Sequence, residues 1–142
     1  MQDDSPLLLI VDDCEVVQRP YRYLLSQEGF RVEFALNGQE ALDKLRVSPQ
    51  DIDVVLLDIT LPGQPGGEVL VELRKVRPDL KVVLTSAHNL DVRNLDAIAA
   101  HPKPTFIRKP FRLNELVHAL REEIGAGPLS PAGTRSRGKT SS

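Results

Sequence analysis

The sequence has one cysteine, few aromatic residues and no long apolar run. Cys14 is the single cysteine among 142 residues, which excludes an internal disulfide framework and a zinc site built from several cysteines. No apolar run approaches the roughly 20 residues of a membrane-spanning helix, and the acidic start MQDDSPLLLIVDD lacks the basic residues of a secretory signal. These absences predict a soluble cytoplasmic protein without a membrane partner. Aromatic residues make up 4% and hydrophobic residues 41%, so the predicted core is mainly aliphatic.

Charge is distributed unevenly along the chain. The whole chain has 18 basic and 20 acidic residues, and residues 125–142 contain Arg135, Arg137 and Lys139 but no acid. The first 124 residues therefore keep 15 basic against 20 acidic residues, a net charge of −5. An acidic body argues against nucleic-acid binding by the body itself. Because Gly, Pro, Ser and Thr dominate residues 125–142, we predict one domain over residues 1–124 followed by a disordered tail.

Short aliphatic or β-branched segments alternate with segments of helical period. We predict strands at residues 7–11, 31–35, 53–57, 81–85 and 105–108. Apolar residues at helical spacing follow each strand, around residues 16–25, 41–45, 69–76, 95–99 and 113–124. This alternation predicts an α/β fold with a parallel sheet covered by helices on both faces. Pro20 lies inside the first predicted helix, so we expect a local distortion there.

Charged and hydroxyl side chains follow the predicted strands. Asp12 and Asp13 follow the first strand and Asp58 follows the third, so their carboxylates are expected at the ligand-binding edge of the sheet. Two like charges about 4 Å apart cost about 4 kcal/mol at an effective dielectric near 20, so the cluster favours a bound cation such as Mg²⁺. Ser86 and Lys109 follow the fourth and fifth strands and favour a phosphoryl group. The alternative is that each acid only ends a strand or caps a helix.

Four motifs in this order resemble those of the response regulator receiver domains of two-component signalling. They are the acid pair in LLLIVDD, DITLPGQPGG after the third strand, LTSA after the fourth and FIRKPF around the fifth. The resemblance covers roughly residues 6–124. It implies a flavodoxin-like (βα)5 fold, in which five parallel strands form a doubly wound sheet in the order 2-1-3-4-5.

The resemblance also implies a role for each site residue. Asp58 would be the phosphoacceptor and a metal ligand, Asp13 a direct ligand and Asp12 a ligand through water. The backbone carbonyl of Thr60 would complete the set around Mg²⁺, or Mn²⁺ in its place.

Three further residues receive roles in the same way. Ser86 matches the switch hydroxyl, Lys109 the phosphate-binding lysine and Phe106 the aromatic switch residue. The Lys109–Pro110 bond matches the family's cis peptide, a form available mainly before proline.

The function implied is that of a stand-alone receiver, not an enzyme. Asp58 would accept a phosphoryl group, with Mg²⁺, from a sensor histidine kinase or a histidine phosphotransfer protein. Phosphorylation would then change a surface made by the fourth helix, fifth strand and fifth helix, which binds a downstream protein. The resemblance also allows a phosphorylation-dependent homodimer.

Two other functions are alternatives to this one. A phosphatase of the haloacid-dehalogenase type also uses an aspartate nucleophile and Mg²⁺, but needs a second Asp two residues later, where this chain has Thr60. A pseudo-receiver would bind partners without phosphorylation, and the intact acid set argues against it.

Overall fold

A parallel sheet of five strands organises the part of the chain that the computed structural model describes, which is residues 5–59, 66–86 and 104–125. The strands are β1 (Leu7–Val11), β2 (Arg31–Ala35), β3 (Val54–Asp58), β4 (Val82–Ser86) and β5 (Thr105–Arg108). They pair in parallel in the order β2-β1-β3-β4-β5. The predicted α/β fold and its strand order are confirmed.

Strands β3 and β4 each lie one residue later than predicted. Asp53 lies just before β3: its amide donates a 2.9 Å bond to the Leu7 carbonyl, and its carboxylate accepts a 2.7 Å bond from the Leu7 amide at the start of β1. At the other end, the Ile59 amide donates to the Thr85 carbonyl and the Lys109 amide donates to the Ser86 carbonyl, both at 2.9 Å. The backbone ladder therefore extends through Asp58 and Ser86, which end their strands as ordered residues.

Four α-helices flank the sheet in the described residues. They are α1 (Gln18–Gln27), α2 (Gly38–Val47), α3 (Gly66–Val76) and α4 (Leu113–Gly125), with a 3₁₀ turn (Glu15–Val17) before α1. The helix α4 corresponds to the fifth predicted helix, whereas the fourth prediction, residues 95–99, lies outside the described residues, as does nearly all of the predicted tail. None of the described helices has the length and apolarity needed to cross a membrane.

Pro20 lies in the first turn of α1 because the helix begins later than the apolar pattern indicated. The first amides of a helix have no intrahelical acceptor, so a proline there loses no hydrogen bond. The chain just before it forms the 3₁₀ turn, in which the Gln18 amide bonds the Glu15 carbonyl. The expected distortion is therefore a tight turn ahead of Pro20, not a kink within the helix.

The core has two layers, one on each face of the sheet. Alternate strand residues such as Leu9, Val55 and Leu84 face α2 and α3, while Ile10 and Leu56 face α1 and α4. Burying each such side chain contributes about 1.5–3 kcal/mol. The central strands are buried on both faces, so the residues that end them are held by a densely packed sheet.

We predict that Asn37→Ala lowers the free energy of unfolding by about 1 kcal/mol. Asn37 caps α2, and its side-chain oxygen accepts a 2.9 Å bond from the Glu40 amide. Urea unfolding would measure the loss. The control is Gln39→Ala, which removes an exposed contact with Asp43 and should change stability by less than about 0.5 kcal/mol. Equal losses in the two variants would contradict a capping role.

Candidate functional site

Lys109 joins two carboxylates at the carboxyl ends of the strands. Its Nζ lies 2.9 Å from Asp58 Oδ2 and 3.3 Å from Asp12 Oδ2. Asp58 ends β3, Asp12 follows β1 and Lys109 follows β5. The long lysine side chain crosses β4, to which its own backbone amide is bonded through Ser86. Residues far apart in sequence thus meet at the sheet edge where parallel folds bind ligands.

Both carboxylates are largely withdrawn from solvent, so their charge must be balanced locally. Asp58 is 6% exposed and Asp12 is 8% exposed. Burial lowers the pKa of Lys109, but hydrogen bonds and charge from Asp58 and Asp12 outweigh it and raise that pKa above 10.5. Lys109 is therefore protonated at neutral pH. One ammonium faces two carboxylates, which leaves an excess of negative charge.

The second oxygen of Asp12 orients the chain as it leaves β1. Asp12 Oδ1 accepts a 2.9 Å bond from the Cys14 amide, a local contact typical of turns. Asp13, between them, has an exposed side chain. Across the described ranges no three Asp, Glu, His or Cys side chains are grouped as metal ligands. The structure thus brings together two of the three carboxylates that the sequence placed at this edge.

The donor set nevertheless fits a hard divalent cation. Mg²⁺ binds carboxylate oxygens, usually through one or two carboxylates, and keeps several waters. Asp12 and Asp58 supply such oxygens with negative charge in excess, and Asp13 is adjacent in the chain. The carbonyl of Thr60, predicted as a ligand, lies outside the described residues.

Two hydroxyl side chains end β4 beside the acids. Ser86 is 1% exposed at the last position of the strand, and Thr85 is 2% exposed. Thr85 lies opposite Asp58 in the β3–β4 ladder, and its Oγ1 has no hydrogen-bond partner within the described part of the chain. Only Ser86 was predicted to act on a phosphoryl group, and that role stays a prediction.

The segment around Lys109 carries the other two predicted residues. The Lys109–Pro110 peptide bond is cis. Phe106 is opposite Leu84 in the β4–β5 ladder, is partly buried, and packs against the core cluster shared by α2 and α3. A partly buried ring can change rotamer more easily than a fully enclosed one, so the arrangement is compatible with a switch residue.

Tyr21 is a neighbour of the site that the sequence did not indicate. Burial raises the pKa of its phenol, while Lys109 lowers it and Asp12 raises it, so the hydroxyl lies within electrostatic reach of both. Tyr21 also packs against the core cluster shared by α1 and α4. Tyr21 lies in an amphipathic helix, and nothing in the sequence around it indicated that its hydroxyl would lie near Asp12.

We predict that Lys109→Met lowers the free energy of unfolding at pH 7 by about 1–3 kcal/mol, because two buried carboxylates lose their charged hydrogen-bond donor. The folded pKa of Lys109 is above its usual 10.5, so its contribution is complete below pH 10.5 and is lost as pH rises through the folded value. Urea unfolding at several pH values should show the difference between wild type and variant shrinking above pH 10.5.

Two controls accompany this variant. Lys109→Met/Asp58→Asn should recover part of the lost stability, because it removes one uncompensated carboxylate. Lys75→Met removes an exposed ion pair with Glu72 and should have little effect. If Lys109→Met is as stable as wild type at pH 7, the ion pair does not hold the site together.

Comparison with known proteins places this geometry in a family. A model described as the response regulator receiver domain matches residues 8–121. The chain is 34% identical to the chemotaxis protein CheY of Thermotoga maritima over 116 residues, which are 81% of this chain and 94% of that protein. It is also 34% identical over 122 residues, 84% of its length, to the sensor kinase CckA of Brucella abortus, but spans only 13% of that kinase.

A solved structure agrees with the sequence comparisons. It is the receiver domain of the sensor histidine kinase PA1611 from Pseudomonas aeruginosa, with a magnesium ion coordinated in its active-site cleft. The TM-score is 0.73 at 25% identity, over 86% of this chain and 99% of that one. With the fold, the paired acids and the family match in agreement, this chain belongs to the response regulator receiver domains of two-component systems.

Proposed function

We propose that Asp58 accepts a phosphoryl group from the phosphohistidine of a sensor histidine kinase or a histidine phosphotransfer protein. The observation that carries this proposal is the 2.9 Å contact between Lys109 Nζ and Asp58 Oδ2, with Asp12 3.3 Å from the same ammonium. The buried carboxylate of Asp58 thus has a cationic donor, Lys109, beside it, and Asp12 is a second acid that could bind the same metal ion.

The reaction is a single in-line displacement. An Asp58 oxygen forms a bond to phosphorus as the bond between phosphorus and the imidazole nitrogen breaks, which leaves an acyl phosphate and a free histidine. Negative charge is spread over the equatorial phosphoryl oxygens, so the site must supply positioning and positive charge. Lys109 supplies one ammonium that is already at the carboxylate.

A bound Mg²⁺ would neutralise further charge on the phosphoryl oxygens. Asp13 and Asp58 are the proposed direct ligands, with Asp12 acting through water and the carbonyl of Thr60 completing the set. Two observations support a cation here: the excess of carboxylate over ammonium, and the coordinated magnesium ion in the PA1611 receiver structure.

The proposed output is a change in the surface near β5 and α4. Ser86 would move toward the phosphoryl group and Phe106 would turn into the space released, which shifts a two-state equilibrium. A groove of about 620 Å³ between β5 and α4, lined by Thr105, Ile107 and His118, supports a partner surface there. The third proposed contributor, the fourth predicted helix, lies outside the described residues.

The relatives bear on the setting of this switch. The matched domain makes up 94% of CheY and 13% of the kinase CckA, so similar domains occur both as nearly the whole of a protein and as a small part of a long one. We propose a phosphorylation-controlled switch and not a phosphatase, since Thr60 stands where a phosphatase of the haloacid-dehalogenase type needs its second acid.

We predict that incubation with acetyl phosphate and Mg²⁺ adds one phosphoryl group to the chain, and that Asp58→Asn abolishes the addition. The reason is that Asp58 is the buried carboxylate in contact with Lys109. Intact-mass spectrometry measures the addition. The matched control is Asp51→Asn, an exposed acid in the turn before β3, which should be labelled like wild type. Absence of labelling, when a known receiver is labelled in parallel, would favour a pseudo-receiver.

We also predict that Mg²⁺ stabilises the unphosphorylated chain. At a concentration ten times the dissociation constant, one bound ion adds about 1.4 kcal/mol to the free energy of unfolding, and thermal unfolding in Mg²⁺ and in EDTA would detect it. Asp13→Asn should remove this stabilisation, because it deletes a proposed ligand. Glu15→Gln changes a nearby exposed acid and should keep it. A Mg²⁺ effect that survives Asp13→Asn would contradict the proposed ligand set.

A further inference from the structure

A groove lies along the free edge of β2, on the opposite side of the sheet from β5. It has a volume of about 760 Å³, with Gln18 and Arg22 of α1 on one side, Glu40 and Asp43 of α2 on the other, and Phe34 at its base. We call it the β2 groove. Its volume is in the range of cavities that hold a small ligand, and the proposed function makes no use of it.

The backbone at the base of the groove is ready to pair with another strand. The Arg31 amide and the Ala35 carbonyl both bond the β1 side, to Pro6 and Asp12. In a parallel ladder alternate residues face each neighbour, so the amide and carbonyl of Phe34 point away from β1. Since β2 is the last strand of the sheet, no further strand of the described residues lies on that side to pair with these two groups. An edge strand with such groups is a template for an added strand.

Side chains already cap the edge on both sides of this position. Arg22 Nη1 donates a 2.6 Å bond to the Val32 carbonyl and its guanidinium lies 5.2 Å from the centre of the Phe34 ring. At the other end, Glu40 Oε1 accepts a 2.8 Å bond from the Leu36 amide. These caps limit pairing to a short segment centred on Phe34, which excludes a long intermolecular sheet.

The rim of the groove is acidic. It carries the carboxylates Glu15, Glu33, Glu40 and Asp43 against the cations Arg22 and Lys44. Lys44 is 3.6 Å from Glu33, so that pair is internally balanced. Two carboxylates therefore remain in excess, and an occupant with positive charge is favoured.

The same chain contains a segment of matching chemistry. Residues 134–139 read TRSRGK, which places three cations and no acid within six residues. The segment has too few apolar residues to form a core of its own, but the affinity of an added strand for a sheet edge comes from backbone hydrogen bonds.

The segment can also reach the groove from the end of α4. Arg121 Nη2 donates a 2.9 Å bond to the Glu28 carbonyl, so the last turns of α4 lie beside the end of α1. The ten residues of α1 span about 15 Å, whereas residues 126–135 can span about 33 Å when extended. A tether of this length gives an effective concentration of order mM, so weak contacts suffice for docking.

We propose that residues 134–139 of this chain bind in the β2 groove as a short added strand. The backbone of one of these residues pairs with the amide and carbonyl of Phe34, and the three cations face the acidic rim. This contact covers the free edge of the sheet and does not depend on phosphorylation of Asp58.

The test compares wild-type residues 1–142 with the variant Arg135→Gln/Arg137→Gln/Lys139→Gln of the same chain by amide hydrogen exchange and two-dimensional NMR. We expect the Phe34 amide to exchange at least about tenfold faster in the variant and its resonance to move. The control Arg19→Gln/Lys75→Gln/Arg112→Gln removes the same charge from exposed sites outside the groove and should leave Phe34 unchanged.

Two further measurements identify the occupant. The Phe34 resonance of wild type should not change on dilution, because the contact is intramolecular, and in 1 M NaCl it should move toward that of the variant, since charge is then screened within about 3 Å. A synthetic peptide of residues 126–142 added to the variant should restore the wild-type resonance. Identical Phe34 exchange in wild type and variant would overturn the proposal. A dilution-dependent resonance would overturn it in favour of docking between two copies.

Discussion

The contact between the Lys109 ammonium and two buried carboxylates is the interaction on which the functional edge of this domain depends. Asp12 follows β1 and Asp58 ends the neighbouring strand β3, so the parallel sheet brings like charges together, and Lys109 reaches across β4 to offset that repulsion. Because the ammonium leaves part of the negative charge unbalanced, this arrangement favours a cation. The cation and Lys109 together would supply the positive charge that the proposed phosphoryl group needs. The proposed binding chemistry thus follows from an electrostatic constraint of the fold.

The two edge strands of the sheet, β5 and β2, have different surroundings. At β5 the edge adjoins a groove with α4 that would suit the proposed partner. At β2, Arg22 and Glu40 cap the backbone at both ends and leave the amide and carbonyl of Phe34 between them. Pairing of that remaining position with a basic segment would complete the protection of an edge that could otherwise recruit another chain.

Much of the fold was predictable because parallel strands buried on both faces have an unmistakable apolar pattern. Strands β1, β2 and β5 have the predicted bounds, and the order 2-1-3-4-5 followed from the resemblance. The one-residue offsets in β3 and β4 were missed because they depend on which amide bonds which carbonyl across the ladder, as at Ile59 and Thr85. The start of α1 was missed because a 3₁₀ turn continues the same apolar residues as the helix.

The sequence by itself determined the kinds of group at the site: acids after two strands, a hydroxyl after the fourth and a lysine after the fifth. Only the tertiary structure decided how they meet. Asp12 and Asp58 turn toward Lys109, whereas Asp13 is exposed, because successive residues leaving a strand point to opposite sides. Tyr21 came within reach of the same charges through helix packing alone. The positions of residues along the chain fix which side chains lie at an edge of the sheet. The packing of the folded chain sets the direction in which each of those side chains points.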